Sequence, residues 1–377
     1  MDSSKLTEFL DSLRDKGIPG CDCVVYKDHK EVFRHITGYA DNNETRPLTK
    51  DTTYWLYSAT KIITCTALMQ LVDKGSIALD DPVHKYLPEY EKMNVRQGSA
   101  IRPAKNTMTI RHLLTMQSGL NYNLAPPSIK NVVKSTRGKA STRQIIEALS
   151  YEPLDFEPGT HYEYSLSHDV LGAIIEVVSG QNFGEYLDEH IFQPLGMTNT
   201  GFKLTPELKA NMSDQFICNV DTLAIVPTKR ANVYVLSDNY ESGGAGLIST
   251  VDDYILFLDA LANRGVGHIG NRILSMESIN EMRTDQLKGV SRDDFALHEQ
   301  IGYGYGLGVR TLIDKEISGA RSPLGEFGWG GAAGAYALID VENSLSIFYA
   351  QHVLECEVTR GVVPTSIRDL TYEMLRL

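Results

Sequence analysis

The chain reads as an α+β fold in which one sheet is assembled from both ends of the sequence, and three observations predict it. Near the start, two strand-like runs, Cys21 to Tyr26 and Glu31 to Ile36, are joined by the polar Lys27-Asp28-His29-Lys30 as a hairpin. Near the other end, Tyr303 to Ile313, Gly334 to Asp340 and Leu345 to Gln351 are strand-like and rich in Tyr, Val, Ile and Phe, with Asp340-Val341-Glu342-Asn343 as the turn between the last two. Between these ends the apolar spacing is helical, so helices are inserted into the sheet.

Taken in order, Lys5 to Lys16 repeats Leu6, Phe9, Leu10 and Leu13 at helical spacing and stops at Gly17. Ile62 to Lys74 is the most apolar helix of the N-terminal part, with Ile63, Ala67, Leu68, Leu71 and Val72 recurring and Gly75 as its stop. Asp80-Asp81-Pro82 and Leu87-Pro88-Glu89 are turn chemistry, and Met93 to Asn106 is polar and expected to lack regular structure. Helices are then expected over Thr109 to Leu114, Thr142 to Leu149, His168 to Ser179 and Phe183 to Phe192. Ser242-Gly243-Gly244-Ala245-Gly246 reads as a turn before a helix, Tyr254 to Ala262, opened by a capping box at Thr250. Ser366 to Leu377 closes the chain as a helix. One composite domain over 1–377 is expected, its sheet-containing part about 1–57 and 240–377 and its mostly helical part about 58–239.

Composition excludes several classes. A net charge of -12 lacks the basic footprint of a nucleic-acid binder, although Lys130 to Arg143 forms a local basic island, either a solvated face or a rim that attracts anions. The N-terminus has no charged region followed by an apolar one, and no eighteen apolar residues run together, so a soluble, non-exported protein without a membrane partner is expected. Five scattered cysteines fit reduced thiols in a cytoplasm better than a disulfide framework or a zinc site. There is no His-Glu-x-x-His, Walker loop, full dinucleotide fingerprint or Gly-x-Ser-x-Gly elbow, and no metal or organic cofactor is implied.

The chemistry centres on Tyr57-Ser58-Ala59-Thr60-Lys61. Ser58 stands at the N-terminus of the apolar helix, where unpaired N–H groups favour negative charge, and Lys61 lies on the same face three residues on. A serine hydroxyl becomes nucleophilic when a neighbouring base takes its proton, and a desolvated lysine can be that base. Taken alone the pair also fits a serine N-cap followed by a surface lysine. Acyl transfer further needs a second proton carrier and N–H donors for an oxyanion. Tyr164, presented after the turn Phe156 to Thr160, can supply the first, and the glycine-rich Gly328-Trp329-Gly330-Gly331-Ala332-Ala333-Gly334 can supply the second. The bland alternatives are a core tyrosine and a packed loop. His112, His161 and His168 read most simply as surface or helix-end residues.

Ser58-Ala59-Thr60-Lys61, Tyr164-Ser165 and Trp329-Gly330-Gly331 together resemble, in order and approximate spacing, the three motifs of serine β-lactamase-like and penicillin-binding-protein-like hydrolases. The chain looks most like the branch holding class C β-lactamases, DD-peptidases and β-lactamase-fold carboxylesterases, over about residues 26–351. The resemblance implies a β-lactamase/transpeptidase-like fold, with Ser58 as acylated nucleophile, Lys61 as its proton-transfer partner and Tyr164 as second base. It implies an oxyanion hole from the backbone N–H groups of Ser58 and Ala332, and a substrate site around Trp329, Gly330, Gly331 and Leu166.

Two departures shape the expected substrate. Where penicillin-recognising members carry an asparagine this chain has Leu166, and where they carry a lysine it has Trp329, so a charge-assisted contact typically worth about 1.5–3 kcal/mol is missing. Trp329 instead offers an apolar wall. A carboxylesterase-like activity on small or medium acyl esters is therefore the first expectation. A D-amino-acid peptidase or amidase, a weak class C-type β-lactamase, and a non-catalytic binding or assembly protein are the alternatives. The partner expected is a small ester, amide or lactam.

Overall fold

The computed structural model describes residues 2–219, 221–229, 232–296 and 301–377. The N-terminal hairpin forms as expected: β1 (Gly20–Lys27) turns through Asp28 and His29, both at positive φ, into β2 (Lys30–Gly38). From the other end come β3 (Tyr303–Tyr305), β4 (Arg310–Leu312), β5 (Phe327–Gly328), β6 (Tyr336–Asp340) and β7 (Leu345–Ala350). The seven strands lie in the order β2-β1-β7-β6-β5-β4-β3, antiparallel throughout. The two termini meet where β1 pairs with β7, in a register that sets Val24 opposite Phe348.

Alternation along the central strands sorts their side chains onto two faces, and both are covered. Five helices do most of the covering or site-building: α1 (Ser4–Ser12), α2 (Thr60–Asp73), α3 (Ser167–Ser179), α4 (Val251–Ala262) and α5 (Val363–Leu375). Cys21, Cys23, Val25, Leu338, Ile347 and Tyr349 share a core with Leu6 and Leu10 of α1 and Ile367 and Tyr372 of α5. Val24, Ala337, Ile339 and Phe348 join the larger core that takes in α2, α3 and α4. There the Tyr254 ring of α4 lies 4.4 Å from that of Phe348. Helix α2 is buried on every side from Thr60 to Leu71, which is why its sequence is apolar almost without a polar stripe.

Three expectations need correction. Residues 93–106 carry a hairpin, Asn94–Gln97 paired with Ala100–Pro103, around Gly98 at φ +59. Only Val95 of its eight paired residues is buried, so no alternation marks it, and backbone bonds between its first strand and Leu154 hold it down. The strand expected over Tyr303 to Ile313 is two strands, because Gly306 to Val309 turns where a Cβ on Gly306 would lie 1.9 Å from Met282 O. Thr250 caps α4 through Asp253 N–H at 3.1 Å, but the reciprocal half of a capping box is replaced by Asn199 N–H donating to Asp253.

Because Phe348 is fully buried between β1 and α4, Phe348→Ala should lower unfolding stability by about 3–5 kcal/mol, read as a reduced denaturation midpoint by circular dichroism. A loss below about 1 kcal/mol would mean that the two ends of the chain do not share this core.

Candidate active site

Ser58 lies in a tight helical turn, Tyr57–Ala59, that runs directly into α2. Its half-buried hydroxyl accepts a hydrogen bond from Lys61 Nζ at 3.4 Å, as the three-residue spacing requires. Lys61 is fully buried. Its Nζ also donates to Gly244 O at 2.7 Å and Tyr122 Oη at 3.3 Å, and it sits 4.5 Å from the centroid of the Tyr164 ring. Burial pushes the Lys61 amine down from its usual range to about 7, with the carboxylate of Asp169 opposing that fall. A hydroxyl beside an amine that is partly unprotonated near neutral pH is the arrangement that general-base activation of a serine needs.

Tyr164 follows an irregular segment before α3, and its ring stacks between two others: Tyr122 at 5.4 Å and Trp329 at 5.7 Å, both within about 20° of parallel. Trp329 Nε1–H donates to Tyr164 Oη at 3.1 Å. The three sequence motifs are thereby brought into one cluster, at the junction of α2, the segment before α3 and the end of β5. Gly331 is there because nothing larger fits: a Cβ would lie 2.4 Å from Leu56 O, two residues before Ser58. Gly331 N–H and Gly334 N–H turn to Ala335 O and Gly331 O, while Ala332 N–H makes no hydrogen bond among the described residues.

Leu166 is not presented like its neighbours. It is 3 % exposed, packs in the core, and its N–H donates to Asn121 O at 3.2 Å. His168 stands at a helix end as expected, in the first turn of α3, but is fully buried there, with Nε2 3.1 Å from Cys65 Sγ. His112 caps the helix Ile110–Leu114 with Thr109, and the exposed His161 pairs with Asp294 at 2.9 Å. In the basic island Arg143 pairs with Glu89, whereas Lys130 and Lys134 are exposed.

Sequence reasoning missed three contributors. Tyr122 sits in a loop with no periodic signal. Asp169 hides one residue after a histidine in an apolar helix, where an unpaired acid was itself the clue. Gly244 belongs to the run Ser242 to Gly246, which is a turn as expected but also packs on α3: Cβ atoms on Gly243 and Gly244 would lie 2.4 Å from His168 O and 2.6 Å from Asp169 Oδ2. Among the described residues no group of three or more His, Cys, Asp or Glu could hold a metal, and no helix is long and apolar enough to cross a membrane.

Comparison with known proteins gives this cluster its context. The family model described as Beta-lactamase matches residues 5–368. The chain is 30% identical to Esterase EstB of Burkholderia gladioli, across 99% of this chain and 96% of that protein. It is also 30% identical to Acyltransferase calJ of Penicillium decumbens, across 85% of this chain and 80% of that protein. Among solved structures, EstCE1, a hydrolase with promiscuous acyltransferase activity, has the same fold at a TM-score of 0.82, covering 98% of each chain at 24% identity. The match of the family model over nearly the whole chain, with relatives similar over almost their full lengths, makes this protein a member of the Beta-lactamase family and, with that family's enzymes, a serine hydrolase.

Proposed function

We propose that this protein is a carboxylesterase that cleaves small or medium acyl esters through an acyl-enzyme on Ser58. The observation that carries the proposal is the buried Lys61 amine, held near neutrality 3.4 Å from the Ser58 hydroxyl. The unprotonated amine takes the Ser58 proton as Oγ attacks the ester carbonyl, and a C–O bond forms. The tetrahedral oxyanion is held by the N–H groups of Ser58 and Ala332, the first at a helix start and the second unpaired among the described residues. Collapse breaks the bond to the alkoxide, which leaves with the proton carried by Lys61 and its tyrosine neighbours. Water then repeats the sequence on the acyl-enzyme, with Tyr164 as second base, and releases the acid. Tyr122, whose hydroxyl burial holds well above its ordinary pKa, stays protonated and can pass a proton by giving one as it receives another.

Substrate preference follows from Trp329. A neutral indole stands where a carboxylate-binding cation would be needed for penicillin-type substrates, and with Gly330 and Gly331 it forms a flat wall that suits a neutral ester. Leu166, buried in the core, offers a substrate no side-chain hydrogen bond in the place of the family's asparagine. The relatives named esterase and acyltransferase support acyl chemistry on ester substrates. The five free, buried cysteines suit a cytoplasmic setting.

Ser58→Ala should abolish both turnover of p-nitrophenyl butyrate, by roughly 10⁴-fold or more, and the mass increase of an acyl-enzyme; turnover that survives the substitution would sink the nucleophile assignment. Nitrocefin should be cleaved poorly, and efficient cleavage would favour the β-lactamase alternative. Because Lys61 must be unprotonated to act as base, kcat/KM should be low below pH about 7 and rise through it, and Lys61→Arg should remove the activity at every pH, arginine keeping its proton. A pH-independent rate would contradict that role. Trp329→Ala should raise KM for the butyrate ester more than for the acetate, by about fivefold, equivalent to about 1 kcal/mol of lost contact; equal effects on both would remove the indole from the acyl site.

A further inference from the structure

Behind Lys61 lies a carboxylate that the mechanism above does not use. Asp169, in α3, is fully buried. Its Oδ1 accepts from Tyr240 Oη and Ser242 Oγ, each at 2.6 Å, and from Gly244 N–H at 3.4 Å. Its Oδ2 has no hydrogen-bond partner among the described residues. A Cβ built on Gly244 would lie 2.6 Å from that oxygen, 3.3 Å from Tyr122 Oη and 3.4 Å from Lys61 Nζ. The carboxylate and the amine therefore face each other past the bare Cα of Gly244, within about 6 Å, too far for a direct ion pair and close enough to interact strongly at low dielectric.

We propose that Asp169 is a positioning residue for the reaction: it ties the Ser242 to Gly246 loop to α3, so that Gly244 O holds the Lys61 amine beside Ser58, and it supplies the counter-charge for that amine. This inference rests on the Ser58–Lys61 reading above. A buried carboxylate with one bare oxygen is costly unless charge compensates it, and the cation it faces is Lys61. The other groups facing Lys61 are unsuited to the task. Cys65, from α2, has a thiol pushed up by burial, and His168, from α3, is pushed well down by burial and by Lys61, so both stay neutral. Tyr122, from its loop, stays protonated, Tyr164 offers its ring face, and the Ser242 to Gly246 loop offers a carbonyl. Asp169 is the carboxylate among the described residues whose charge acts on the amine, and it acts to keep the proton on.

Without the Asp169 charge Lys61 gives up its proton at lower pH, so the acidic limb of the rate profile moves down. The measurement is the rate of p-nitrophenyl butyrate hydrolysis, and of Ser58 labelling by a fluorophosphonate read by intact mass, between about pH 5 and about pH 9. Asp169→Asn keeps an acceptor for Tyr240 and Ser242 and removes the charge; its limb should shift down by about 1 pH unit or more. Burial raises the Asp169 pKa above the usual carboxylate range and the Tyr240 hydroxyl opposes that rise, so Tyr240→Phe should weaken the charge and shift the limb the same way by less. It carries the test by itself if the asparagine variant fails to fold. A limb that stays in place while activity and Tm fall together would overturn the inference and leave Asp169 a packing residue, as would a shift upward. Wild-type protein whose labelling is not lost in Ser58→Ala would overturn both this inference and the reading beneath it.

Discussion

The site depends on one constraint: an amine has been taken out of water. Lys61 points from the first turn of α2 into an interior closed by Tyr122, Tyr164 and the Ser242 to Gly246 loop, and desolvation lowers its pKa to about 7. Such a group needs acceptors at close range, and a loop can deliver a carbonyl at 2.7 Å only if its own side chains do not intervene. That explains Gly243 and Gly244, where any Cβ would strike His168 O or Asp169. The glycine pair costs backbone entropy and returns a fixed position for Gly244 O.

The same logic repeats on the sheet side. Past β5 the chain runs through Trp329, Gly330 and Gly331, with Trp329 O still accepting from Ala337 N–H at 3.0 Å, so this segment is held alongside β6 at the end of its strand. Gly331 then comes against Leu56 O, and Trp329 caps the aromatic stack over Tyr164. Helix start, glycine loop and strand end are thus each located by backbone contacts with another. A proposed nucleophile, its base and the proposed oxyanion donors inherit that precision from the scaffold and not from flexible side chains.

The sheet and the motif cluster were legible because their signals are local: short strand-like runs bounded by a polar turn for β1 and β7, apolar residues at helical spacing for α2, and glycine runs where backbones approach. The hairpin at Asn94–Gln97 was not, because a ribbon exposed on both faces has no reason to alternate. The place of His168 at a helix end was legible but its burial was not, because a histidine beside an acid looks polar, while its Nε2 is in fact taken up by Cys65 in the interior. Tyr122 and Asp169 were invisible for a different reason. Their relation to Lys61 is purely tertiary, spanning 61 residues in the first case, and no spacing rule reaches that far. Leu166 was legible as a departure from a motif, but its depth in the core was not.

Presenting Ser58 also has a conformational cost, and its surroundings offset it. Tyr57, just before the serine, has φ +48, a left-handed geometry that costs a non-glycine residue about 1–2 kcal/mol. Its ring is buried, its hydroxyl donates to Gln215 Oε1, and its ring meets those of Tyr234 at 6.0 Å and His352 at 6.5 Å. His352 in turn accepts from Trp55 N–H at Nε2 and donates from Nδ1 to Ser213 O, a pattern that only one neutral tautomer satisfies. Burial pushes its pKa down to about 4, so the neutral form persists in the folded state well below the pH at which an unfolded histidine charges. The unfolded chain then binds the extra proton between about pH 6.5 and about pH 4, and His352's share of the stability that offsets the Tyr57 geometry is lost as pH falls through that window. Lys61, two residues past that turn, follows the same desolvation logic: burial lowers its pKa to about 7, and at that pH the neutral His352 beneath Ser58 is intact.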